Sequence, residues 1–171
     1  MDAPDILQPE RYTAAPFPRY RYIPFQGDLP HPRNDPEGHS FGLEEEDLPT
    51  FTPKDWTTCQ PYLYGVDLFN YGYCWEAHEA WETVWLAAGR ETLTGNFVQG
   101  LIQIAAAQLK RFMQEDDGAQ LLTATGIQKL SVVNGLFLGI ECATFIAEVE
   151  AALNKDNPHF PLIRLHPPPK P

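Results

Sequence analysis

The sequence predicts an all-α protein: a single helical bundle of about five helices with extended, proline-rich arms at both ends. Two observations carry that expectation. Of the 17 prolines, 11 fall from Pro4 to Pro61 and six from Pro158 to Pro171, leaving 62–157 clear. Proline removes a backbone donor and clashes inside a helix, so a clear stretch of that length is where helices run. Within it, apolar residues recur at helical spacing and alternation of the strand type is hard to find. The expected organisation is an N-terminal arm over 1–60 packed on the bundle, a helical core over 61–155 and a C-terminal arm over 156–171.

The first helix opens at Pro61, a residue suited to the first turn, and ends at Asn70-Tyr71-Gly72, with Leu63, Val66 and Phe69 as its apolar stripe. The second runs from about Tyr73 to Ala88 and stops near Gly89. Thr94 is a candidate cap for the third, which continues to the acidic turn Gln114–Asp117. Its stripe is Val98, Leu101, Ile102, Ala105, Leu109 and Phe112, and its alanine run allows close helix contact. A fourth covers about 118–131; VVNGLFLG turns the chain, and a fifth runs from about Ile140 to Leu153.

The arms mix proline with large apolar residues, as in PFPRYRYIPF and FPLIRLHPPP, unlike a flexible spacer. They are expected to lie extended across the helices and hide their aromatics there. The run Glu44–Asp47 reads as a solvated turn, and the first ten and last five residues as disordered ends.

Composition narrows the function. Of the 171 residues, 43% are apolar and 20% charged, which is ordinary for a globular protein. Net charge is −11, and the 12 lysines and arginines are scattered, so nucleic acid and anionic membrane are unexpected partners. No apolar run approaches the ~18–20 residues that cross a bilayer. The N-terminus lacks a secretory pattern and Cys59, Cys74 and Cys142 are odd in number and far apart, so reduced thiols in a cytoplasmic protein are expected.

The chemistry concentrates in WEAHEAWETVW, residues 75–85. At ~100° per residue, Ala77, Ala80, Trp81 and Val84 form the apolar face, and His78 and Glu82 lie about 40° apart beside it. Glu79 follows beyond Glu82, with Glu76 placed further out still, and Trp75 and Trp85 flank the stripe. His78-Glu79-x-x-Glu82 has the form of a zinc-protease helix with glutamate in the second ligand position. Side chains four apart can share a metal, and the adjacent Glu79 can serve as catalytic base toward a water. The competing reading holds His78 by a carboxylate or carbonyl and turns the glutamates to solvent.

Further ligands are sought in PHPRNDPEGHS, where His31, Asp35 and His39 share a proline- and glycine-rich loop. Folded over the second helix, the loop offers one or two imidazoles; alternatively both histidines pin the arm to the bundle through backbone bonds. Gln99 and Gln103, four apart on the third helix, are the expected amide partners for Glu79, Glu82 or His78, with Gly100 between them permitting close approach. No nucleophile elbow or phosphate loop is present.

LFNYGYCWEAHEAWETVW followed by FVQGLIQIAAAQLK closely resembles the signature of an uncharacterised bacterial and archaeal family, domain of unknown function 309. Pro30-His31-Pro32, Asp35-Pro36 and Gly38-His39-Ser40 resemble an N-terminal segment of some members. The resemblance covers about 20–155 and implies an all-helical bundle. It also implies the label of predicted metal-dependent hydrolase, pointing to His78, Glu79 and Glu82, with Glu76 in addition.

Two functions are therefore carried forward. In one, the EAHExxE helix makes a metal-dependent hydrolase: His78 and Glu82 are ligands, His31 or His39 completes the shell, Glu79 is the base, and zinc, manganese or iron suits the mixed donors. In the other, the chain is a non-catalytic helical module, a homodimer or adaptor, in which Glu76, Gln99, Gln103 and their neighbours form a polar network. A small-molecule pocket beside Trp75, Trp81 and Trp85 falls between the two.

Overall fold

The computed structural model describes residues 8–45, 47–156 and 159–169. Glu46, in the acidic run, lies outside them, and the expectation of disorder at the chain ends falls partly on 1–7 and 170–171, also outside.

Five helices account for most of the structure: α1 Gln60–Asn70, α2 Cys74–Ala88, α3 Leu93–Phe112, α4 Asp116–Leu130 and α5 Cys142–Ala151. The first four pack each on the next, and α5 rests on α4. Pro61 occupies the first turn of α1, where its missing N–H costs nothing. The cap of α3 is Thr92, not Thr94: its hydroxyl accepts from Gly95 N at 2.9 Å, while Thr94 is buried inside the first turn.

The core is built from Tyr62, Phe69, Trp81, Phe97, Leu101 and Ile104, all fully buried. Glycine sets two of the helix contacts. A Cβ on Gly65 would sit 2.2 Å from the Trp81 indole nitrogen, so α1 and α2 approach closely only because that position is bare. Gly100 faces α4, where a Cβ would lie 3.1 Å from Gly126 O; the close approach expected there is made to α4 rather than to α2.

The VVNGLFLG stretch does more than turn the chain. Leu136–Phe137 (β1) and Ile140–Glu141 (β2) pair antiparallel, with Leu136 opposite Glu141 and Phe137 opposite Ile140. Leu138 and Gly139 make the two-residue turn at φ 48° and 79°, the left-handed pair a tight hairpin requires. Two-residue strands are too short to leave a readable alternation. Tyr62 donates its hydroxyl to Leu138 O at 2.6 Å, fixing the hairpin to α1.

Buried polar side chains of α1 bond to residues on both sides of the helical core. Asp67 of α1, wholly buried, accepts from Tyr12 N at 2.7 Å, Thr13 N at 2.9 Å, the Thr13 hydroxyl at 2.6 Å and Arg11 Nε at 3.1 Å. Asn70 donates to Ile163 O and accepts from Ile163 N, both at 2.8 Å, holding the C-terminal arm. The Tyr12 hydroxyl accepts from Leu165 N at 3.0 Å, so the two arms also meet. Tyr12, Phe51, Ile163 and Leu165 are buried, as the apolar content of the arms implied. Among the described residues no helix is long and apolar enough to cross a membrane.

Candidate functional site

On α2, the side chains of His78, Glu79 and Glu82 come together, each half-buried, and each offers a donor atom within 4.8 Å of the others. His78 Nδ1 stands 3.9 Å from Glu79 Oε1. The other Glu79 oxygen accepts from Arg33 Nε of the N-terminal arm at 2.8 Å. Glu79 thus faces two ways, toward its helix neighbours and toward the arm.

Glu76 belongs to a different flank of α2. Counted from His78 it appears far out, but counted the other way it is ~40° from Ala80, on the opposite flank of the apolar face. The N-terminal arm closes over that flank, leaving the Glu76 side chain 5% exposed. Its Oε1 accepts from Tyr22 N and bonds His39 Nε2, each at 2.9 Å. Burial raises the carboxyl above its ordinary value, and the His39 and Tyr22 bonds oppose that rise. Its Oε2 is buried without a partner.

The arm histidines are engaged elsewhere than at His78. His39 is held on both sides, by Glu76 and by the Ser40 hydroxyl 2.7 Å from Nδ1. His31 Nδ1 accepts from Arg33 N at 3.3 Å and Asn34 N at 3.2 Å, within its own turn, and its ring meets Trp75 edge-on at 5.6 Å. The Asp35 carboxylate accepts from Glu37 N at 2.9 Å, again within the loop. Among the described residues neither histidine belongs to the three-donor group. Gly38 makes the fold-back feasible, because a Cβ there would lie 2.3 Å from the carbonyl oxygens of His31 and Pro32.

The expected amide partners are absent too. Gln103 Oε1 is buried and unpartnered, and no bond joins Gln99 or Gln103 to His78, Glu79 or Glu82 among the described residues. These glutamines lie on α3, whereas the donor flank of α2 is reached by Arg33 of the arm. Trp81 is a core residue that donates to Tyr62 O at 3.2 Å. Trp75 and Trp85 keep buried, unpartnered indole nitrogens, and Arg90 lies 5.0 Å over the Trp85 ring.

Between the arm and the α1–α2 face lies a cavity of about 390 Å³. Glu76, Glu79, His39 and Arg33 line it beside Trp75 and Phe17. Glu76 and His39 were named from the sequence as site residues, but Arg33 and the pairing of His39 with Glu76 were not. An apolar-face position was legible for Glu76, but no local pattern signals which arm residue meets it.

No curated protein matches the chain. Residues 62–122, from α1 into α4, match the family model described as Domain of unknown function (DUF309).

Proposed function

We propose that the chain is a metal-dependent hydrolase whose divalent ion is held by His78, Glu79 and Glu82. The supporting observation is the convergence of one imidazole and two carboxylates within 4.8 Å on one helix flank. Bonds of ~2.1 Å place donors around one ion roughly 3–4 Å apart, so modest side-chain rotation closes the set. Three protein donors with open positions remaining is the composition of a catalytic site, and the mixed N/O set suits zinc, manganese or iron. When bound, such an ion supplies an acidified water and polarises a carbonyl or phosphoryl oxygen.

In this assignment Glu79 fills the third position that the arm histidines were expected to take. Arg33, paired with Glu79 at 2.8 Å, orients that carboxylate and competes with an ion for it. The adjoining cavity, which Glu79 also lines, receives the substrate.

The test is metal content in untagged protein purified without chelator. One equivalent of zinc, manganese or iron, lost in His78→Ala, is the expected result. Hydrolysis of a nitrophenyl ester or phosphate panel should then stop with chelator and return with the ion. Metal-free wild-type protein refutes the assignment.

A second reading is favoured by the polar fastening of the arms. Asp67, Asn70 and Glu76 each hold backbone of an arm, and a non-catalytic module needs no more than that. Its mark is a protein without metal that loses stability, but no activity, when these contacts are cut.

A further inference from the structure

Asp67, Asn70 and Glu76 do the same work, yet one of them is incomplete. Asp67 uses both oxygens and Asn70 uses both its oxygen and its nitrogen. Glu76 satisfies Oε1 twice and Oε2 not at all, although its side chain is 5% exposed. A buried acceptor without a donor is costly, and folded proteins retain few of them. Glu76 also lines the cavity between the arm and α2.

From this we infer that the cavity is a binding site for a small organic amine, whose ammonium group donates to Glu76 Oε2. The volume, about 390 Å³, is at the small end of the ~300–1,000 Å³ typical of ligand sites. The walls suit an amine with an apolar body. Phe17, Tyr64, Leu68, Leu43 and Trp75 supply apolar and aromatic surface, and aromatic rings attract cations through their negative faces. Arg33, the lining cation, is paired with Glu79 at 2.8 Å and with Glu45 at 3.7 Å, so its charge is already compensated. His39 is fixed by Ser40, which keeps its Nε2 on Oε1 and leaves Oε2 for the ligand. The chain's net charge of −11 favours encounter with cations over anions.

The inference does not depend on the metal reading, since Glu76 is not among the three donors. Three probes of similar shape separate the alternatives: phenethylamine, 2-phenylethanol and 3-phenylpropanoate, titrated calorimetrically into the protein as purified. The amine is expected to bind at least about tenfold more tightly than the alcohol, the usual advantage of a buried charge-assisted bond. In Glu76→Gln that ratio falls to about one, while metal content stays that of wild type. Should Glu76→Gln fail to fold, Ala80→Met decides, because it fills the cavity from α2 while leaving the carboxylate itself in place. Loss of amine binding in a cooperatively folded Ala80→Met upholds the site; retained binding overturns it. No amine binding to wild type at 10-millimolar probe (about the weakest useful affinity), equal affinity for the alcohol, or tighter binding of the carboxylate each overturns it as well.

Discussion

Replacing Asp67 by alanine is the sharpest test of how the arm is held. The carboxylate is wholly buried and accepts four hydrogen bonds from Arg11, Tyr12 and Thr13, at 2.6–3.1 Å. Alanine leaves two backbone N–H groups and a hydroxyl without acceptors, each costing about 1–3 kcal/mol if it stays dry. The full sum is not reached, because the arm can lift and let water satisfy those groups. Removing one partner of a buried ionic contact sets the realistic loss at about 3–5 kcal/mol. For a chain of this size, at ~2–4 °C per kcal/mol, the melting temperature falls by roughly 6–20 °C. Urea unfolding measures the loss directly. A reduced m-value would show that the arm has left the native surface, since less area then remains to be exposed. Trypsin should also cut after Arg11 faster than in wild type, with helical circular dichroism unchanged. A loss below about 1 kcal/mol with no change in proteolysis would refute the claim that Asp67 fastens the arm.

Two further outcomes follow from the packing. Gly65→Ala should destabilise by about 1–3 kcal/mol or more, because its Cβ would stand 2.2 Å from the indole nitrogen of the buried Trp81; unchanged urea stability would contradict the close α1–α2 contact. Burial pushes the Cys142 thiol from its ordinary 9.0 up to about 11 and raises Cys74 further. In unfolded chains these thiols ionise first, so their contribution is intact below pH 9 and is lost as pH rises toward 11 and beyond. Denaturant midpoints should therefore fall over that interval, less steeply in Cys142→Ala, and both thiols should react slowly with a disulfide reagent at pH 8 until the protein is unfolded. Rapid native reaction of both would show that they are not enclosed.

The polar contacts were legible to different degrees. On a helical wheel, Asp67 and Asn70 lie within about 40° of Leu63 and so on the apolar stripe of α1, a position that already marks them as buried. Their partners Tyr12, Thr13 and Ile163 could not be read, because they arrive from more than 50 residues away. His78 and Glu82 were legible as neighbours, since spacing of four on a helix sets their proximity whatever surrounds it. Arg33 was not, and its bond to Glu79 is made by an arm whose path no local pattern encodes.

The sequence by itself determined the helices, their order and the flank of α2 that carries His78, Glu79 and Glu82. Proline placement and apolar periodicity act within a few residues, so they can be read along the chain. Tertiary structure alone decided which flank of α2 the arm covers. That choice buries Glu76 against His39, turns Arg33 onto Glu79 and encloses the cavity between them. Its physical basis is long-range: the arm goes where buried acceptors on α1 and α2 satisfy its backbone donors, and that matching exists only once the helices are assembled.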